Sequence, residues 1–273
     1  RSQSYYGKRA GFRTTLQNNR HPMVKRITTL IILAYGLFIS VANLHSQETV
    51  SFNFRVFGAG LDDFQDLFYF DGGEYVPLGF KKTSRSVSTY EYRGAPQITI
   101  FAPNPAHRAN PLEAPAFLPL ASLRIDQSYP DSLLVFVADA MNRQSQKEKR
   151  SYKLFLLDDS PDAFQGSTIY TINATEIDLF GKIGAETVIL SSNSTQKADF
   201  SKFASNNKPV PIRFAFQTPE GPRLTMSNDV PLSPNRRVVL ILMNPRREGS
   251  TRINTRALID IISPLGDDDP KSN

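Results

Sequence analysis

The sequence predicts an all-β protein, an antiparallel β-sandwich arranged as two tandem sandwich domains, with one long sandwich as the alternative division. Three observations predict it. Apolar and polar residues alternate along most of the chain, helical periodicity is nearly absent, and turn residues recur at intervals of roughly 8 to 12 residues. In "SFNFRVFG", Phe52, Phe54 and Val56 share one strand face while Ser51, Asn53 and Arg55 take the other. "VPIRFAFQ" repeats the pattern with Val210, Ile212, Phe214 and Phe216. The runs "SLLVFVADA" (132–140), "YKLFLL" (152–157) and "RRVVLILMN" (236–244) are apolar on both faces and are expected as central strands.

Turn chemistry separates the runs: "DGG" at 71–73, "RGAP" at 93–96 and "REGS" at 247–250 each read as a hairpin connection. Two segments break the rhythm. The proline-rich stretch 102–119 is expected to be an extended, irregular excursion, neither sheet nor helix. The polar stretch 191–209 reads as a loop with at most one helical turn. The two halves share a strand-and-turn rhythm, but the letters contain no convincing internal repeat.

The N-terminal text has the layout of an export signal. Met23 opens a basic "MVKR", followed by the fifteen-residue apolar run "ITTLIILAYGLFISV" and the small and polar "ANLHSQ". The run is shorter than the roughly 20 residues of a membrane-spanning helix, so cleavage after Ala42 or Ser46 is expected, an uncleaved anchor being the alternative. The expected division is therefore 1–22 upstream of the translation start, 23–46 signal peptide, 47–160 first sandwich, 161–265 second sandwich and 266–273 tail. It implies an exported product, periplasmic, cell-surface or secreted.

The formal charge of +6 belongs to the leader: all 26 acidic residues lie beyond Ser46 with only 25 of the 32 basic ones, which leaves one net negative charge there. No nucleic-acid partner is expected, and a membrane only through an uncleaved leader. The chain has no cysteine, which removes disulfides, thiolate catalysis and cysteine-ligated zinc. About 227 residues after the leader are enough to be held by apolar cores alone.

Histidine is nearly as scarce. His107 is the one histidine well beyond the leader, so two-histidine metal sites are excluded, and no Gly-x-Ser-x-Gly elbow supplies a nucleophile. Two Ser-x-x-Lys matches, Ser194 to Lys197 and Ser205 to Lys208, lack the helical setting and partner motifs of the penicillin-recognising enzymes. Acidic groups are the remaining chemistry. Asp62, Asp63 and Asp66 form one cluster and Asp158, Asp159 and Asp162 another; both are weak calcium candidates without EF-hand spacing. The second cluster reads first as a capped turn, with Asp159 or Ser160 at the N-cap and Pro161 in the first turn. Tyr90 and Tyr92, two residues apart in "STYEYRG", are the candidates for ligand stacking; the alternative is that they face the core. Asn173 and Asn193 lie in Asn-x-Thr sequons.

At "YVPLGFKKTSRSVSTYEYRGAPQITIFAP" (75–103) and "YKLFLLDDSPDAFQGSTIYTINAT" (152–175) the text resembles a group of uncharacterised exported β-sandwich proteins of environmental bacteria. The resemblance implies the architecture and no activity. The functional expectation is an exported cell-envelope or extracellular module that binds or supports rather than catalyses, with no catalytic residue and no cofactor, its partner an envelope polysaccharide or another envelope protein. Two alternatives stay open: a carboxylate-dependent hydrolase of polysaccharide or peptidoglycan, and a calcium-stabilised adhesin.

Overall fold

A computed structural model describes residues 49–60, 64–125, 129–138, 151–204, 208–247 and 249–262. The expected leader, the segment before it and the tail lie outside the described residues, as do Asp62 and Asp63. The described residues belong to one compact unit, Glu48–Asn273. It is a β-sandwich protein. The strands are β1 (Val50–Ala59), β2 (Phe68–Phe70), β3 (Tyr75–Pro77), β4 (Tyr90–Gly94), β5 (Gln97–Pro103), β6 (Phe117–Arg124), β7 (Asp131–Ala138) and β8 (Tyr152–Asp158), followed by β9 (Thr168–Asn173), β10 (Leu179–Ile183), β11 (Glu186–Leu190), β12 (Ser194–Asp199), β13 (Val210–Thr218), β14 (Gly221–Val230), β15 (Arg236–Met243) and β16 (Asn254–Ile261). Among the described residues two short helices interrupt them, α1 (Pro105–Ala109) and α2 (Ser201–Ala204).

These strands form four sheets in four layers. The first outer sheet has the order β3-β2-β5-β6 and the first inner sheet β4-β1-β7-β8; the second inner sheet is β12-β9-β15-β16 and the second outer sheet β11-β10-β13-β14. Adding eight to each strand number of the first half gives the second half, sheet by sheet. The duplication extends to detail. Each inner sheet has a parallel central pair, β1 with β7 and β9 with β15, and each outer sheet carries a bulge at the same place, between Ile100 and Phe101 and between Phe214 and Ala215. The repeat is therefore one of topology, carried by strand order and register while the letters diverge.

Period-two burial explains the layers. Phe52, Phe54 and Val56 of β1, with Leu134 and Phe136 of β7, face Ile98 and Ile100 of β5 in the first core. The residues between them turn the other way: Phe57 and Ala59 with Leu133, Val135 and Val137 pack against Tyr170, Ile172, Val239, Ile241 and Met243 of the second inner sheet. Ile169, Val238, Leu240 and Leu242 then close the last core on Ile212 and Phe214. A strand apolar on both faces marks an inner layer. This corrects the position expected for "YKLFLL": it is β8, buried on both sides yet at the edge of its sheet.

Other expectations are also corrected. "RGAP" does not close a hairpin; β4 pairs with β1 and β5 with β2 and β6, so this turn carries the chain from inner to outer sheet. Within 102–119 the structure places the end of β5, the start of β6 and α1. Asn104 caps α1 by accepting from the Ala106 N–H, and Pro105 takes the first turn, where a missing N–H costs nothing. The polar stretch 191–209 holds β12, whose alternately half-buried polar residues pair along β9. An edge strand whose half-buried face is mostly polar gives no hydrophobic signal. Between β8 and β9, Asp158 accepts from the Ser160 N–H and hydroxyl, and Ala163 and Phe164 N–H both reach the Ser160 carbonyl. This is a single capped turn. Gly166 follows it because a Cβ there would lie 1.7 Å from the Pro234 carbonyl oxygen.

Burial of phenols makes the fold sensitive to alkali. Desolvation, with Asp71 next, pushes the Tyr69 hydroxyl up to about 12, and burial raises Tyr92 and Tyr170 as well. A folded-state value above the unfolded one, about 10, means that the neutral phenol stabilises the fold. That contribution is complete below pH about 10 and is lost as the pH rises through about 12. Tyr69→Phe is expected to move the alkaline loss of the folded circular-dichroism signal to higher pH, whereas an unchanged midpoint would remove Tyr69 from the process.

Candidate functional site

The structure separates the residues singled out in the sequence. Tyr92 is buried in the first core, its hydroxyl donating to the Ala95 and Gln97 carbonyls, and Tyr90 packs beside it with its hydroxyl accepting from the Gly79 N–H. Both belong to the core side of β4, so neither offers a free ring for stacking. Asp66 and Asp162 are exposed, and Asp158 is spent on the turn. Among the described residues no three His, Asp or Glu side chains group so as to hold a metal ion. His107 lies half-buried in α1 with Nδ1 on the Ala114 carbonyl. Ser194 bonds the Ser191 carbonyl at the start of β12, and Lys197 reaches the Ala163 carbonyl. Asn173 is fully buried, its amide donating to the Ile177, Leu190 and Ser191 carbonyls, while Asn193 sits exposed at a turn with φ of 54°.

Asp159 has a different role from its neighbours. At 3% exposure it lies at the margin of the seam between the inner sheets. Arg85, from the loop after β3, pairs with both Asp159 and Asp260. Arg55 lies 3.3 Å from Asp159, and Arg237 lies 3.4 Å from Asp159 and 3.4 Å from Asp260. Arg237 also covers the Phe164 ring at 4.6 Å and donates to the Phe164 carbonyl. Desolvation, then the neighbouring Arg85, pulls the Arg237 guanidinium below its ordinary value. The five charges come from β1, the β3–β4 loop, the turn that follows β8, β15 and β16, so the cluster ties the two halves together. Both aspartates are neutralised as ion pairs. The arrangement holds the seam rather than offering a carboxylate to a substrate.

Removing one member of a buried pair leaves its partner uncompensated, at a cost of about 3 to 5 kcal/mol. Asp159→Asn is expected to lower the urea midpoint of unfolding accordingly, whereas Asp162→Asn, on the exposed side of the same turn, should stay within about 0.5 kcal/mol.

The second feature is an apolar surface. On the solvent side of the first outer sheet, Phe68, Phe70, Tyr75, Phe101 and Phe117 form a continuous group. Tyr75 stacks on Phe117 at 4.1 Å and meets Phe101 edge-on at 5.1 Å; Phe68 meets Phe117 edge-on at 4.9 Å. Phe70 and Tyr75 remain 42% and 38% exposed.

The duplicated half supplies an internal control. Matching ladders and bulges align these five residues with Phe180, Lys182, Thr187, Ala215 and Pro222 of the second outer sheet. Four of the five aromatic positions are thus filled there by non-aromatic residues. The fold does not need rings on this face. No family model matches the chain. A search of curated proteins likewise finds no similar sequence, so the reading of the site rests on its own geometry. Sequence reasoning missed the surface because "FYF" (68–70) is aromatic on both faces, and only the layer order shows that Tyr69 points inward and its two neighbours outward. The charged cluster had no local signal, its members lying up to 205 positions apart, from Arg55 to Asp260.

Proposed function

We propose that this chain is an exported, non-enzymatic binding module of the cell envelope or extracellular space, and that the aromatic face of the first outer sheet is its binding surface. The observation that carries the reading is the contrast between equivalent faces: the same fold tolerates Lys182 and Thr187 where the first half has Phe70 and Tyr75. Exposed rings in a contiguous group, with no charged residue among them, have the composition of a protein-docking patch. The ring geometry argues for a protein partner over a sugar. Tyr75 and Phe117 cover one another's faces, and the Thr99 and Ser122 hydroxyls on the same sheet are bonded to each other at 3.0 Å. Sugar stacking wants an open ring face flanked by free hydrogen-bonding groups. Export is supported by the basic and apolar layout from Met23 to Gln47 and by the resemblance to exported β-sandwich proteins.

The test is retention of the chain by an envelope preparation from its own source. The unaltered chain is expected to be retained, a Phe70→Asp/Tyr75→Asp variant to elute freely with an unchanged melting curve, and protease treatment of the preparation to abolish retention. Equal retention of the variant would overturn the assignment of the face, and retention that survives protease but not glycan digestion would overturn the protein partner. Export has its own check. Expressed from Met23, the chain should be recovered outside the cytoplasm with a new N-terminus after Ala42 or Ser46.

A further inference from the structure

We propose that the free edge of β16 is a self-association site, at which two copies of the chain join antiparallel about a twofold axis so that their second inner sheets become one continuous sheet. The proposal is independent of the aromatic face. It starts from hydrogen-bond bookkeeping. The Ile262 N–H donates to the Asn235 carbonyl, which fixes the phase of the β15–β16 ladder: Asp260, Leu258 and Arg256 point their backbone groups at β15. Thr255, Ala257, Ile259 and Ile261 therefore point theirs outward. None of these four has a backbone partner among the described residues, and all four are exposed, Ile259 at 45% and Ile261 at 69%.

Natural sheet edges are normally protected against such pairing, and most other edges of the described sheets are; the exception is β11, a short edge of five residues without proline or bulge that exposes Ile189 at 74%. Pro77 and Pro119 interrupt β3 and β6, a bulge and Pro222 break β14, exposed Glu91 and Arg93 mark β4, and β12 is polar except for Ala198. The counterpart of β16 in the first half, β8, is screened: Leu154 and Leu156 line a groove of about 620 Å³ whose other walls are the end of β6 and the Asn193 turn. The edge of β16 has eight regular residues, no proline and no bulge.

The occupant follows from the strand's own sequence, Asn254-Thr-Arg-Ala-Leu-Ile-Asp-Ile261, which is complementary to itself in reverse. With Leu258 on the axis, Ala257 of one copy faces Ile259 of the other and Thr255 faces Ile261. Arg256 then lies opposite Asp260, but each is already engaged within its own copy, Arg256 on the Lys82 carbonyl and Asp260 on Arg85 and Arg237, so the pairing rests on the backbone groups and the apolar side chains. The outward groups meet as hydrogen-bonded pairs, about eight backbone bonds in all by the antiparallel rule, and the two exposed isoleucines gain cross-strand neighbours. A shift of one residue either way would lose the match of outward groups.

Sedimentation of the compact unit, Glu48–Asn273, tests this. A reversible dimer is expected, and Ala257→Pro and Ile259→Lys should each weaken it by about tenfold or more. Proline at position 257 removes only an outward N–H and leaves the β15 ladder intact, so its circular-dichroism spectrum should be unchanged; if it unfolds, the lysine variant decides. Register is read with cysteines, since the chain has none. The Ala257→Cys/Ile259→Cys double variant should cross-link on oxidation, because opposed residues lie about 5.5 Å apart at Cα, while each single variant should not. A monomer at every concentration, a dimer indifferent to both substitutions, or single cysteines that cross-link as well as the pair would overturn the proposal.

Discussion

Leu133, Val135 and Val137 face Val239, Ile241 and Met243 across the middle of the molecule, and the remaining layers depend on that contact. Two sandwiches could each close a core with one apolar face per sheet. Here the inner sheets bury both faces, so neither half can present its inner sheet to water without exposing a second apolar surface as large as its core. This explains why β7 and β15 read as unbroken apolar runs and why the duplicated halves behave as one compact unit. The parallel central pairs fit the same logic, because parallel strands occur where both faces are covered.

An apolar seam is strong but not directional. Two flat, greasy sheets can slide or rotate against one another with little change in buried area. The cluster of Arg55, Arg85, Asp159, Arg237 and Asp260 supplies the missing direction, since planar guanidinium groups meet carboxylates in a narrow range of geometries. Desolvation consumes much of the Coulomb gain of buried ion pairs, so the net stabilisation is small, while a misplaced half would leave several charges buried and unpaired. The cluster acts against wrong arrangements more than for the right one. Phe164 completes it from the connecting turn, held under Arg237 and edge-on to Tyr170 at 4.8 Å.

The parts of this architecture legible in the sequence are those set by nearest neighbours. Alternation in "SFNFRVFG" and "VPIRFAFQ" marks strands, "DGG" marks a true hairpin with Gly72 at φ of 63°, and "DDSPDAFQG" marks a capped turn. Illegible were the properties set by distant strands. Whether "YKLFLL" is central or at an edge depends on what pairs beside it. Whether Asp159 is solvated depends on Arg85 and Arg237, 74 and 78 positions away. The Tyr90 and Tyr92 pair illustrates the limit, since alternation shows that two rings share a face without saying which face is buried. The repeat escaped for the same reason: what is duplicated is register and bulge position, and aligned residues such as Phe70 and Lys182 have no chemistry in common.

Duplication also divides the molecule into what folding requires and what it leaves open. Positions that pack in both halves are constrained by the four layers and carry little information about function. Positions equivalent in the fold but different in chemistry are informative, because one half shows what the other could have been. The outer faces differ in this way, aromatic in the first half and aliphatic and polar, with Phe180 its one aligned ring, in the second. The inner-sheet edges differ too, β8 screened within a groove and β16 open. The first difference is one of ring content, since the second outer face still exposes Ile189 and Leu224, and the second is one of edge environment. A chain that contains a version of the outer face without the Phe70 and Tyr75 rings shows that the four-layer fold does not itself require them.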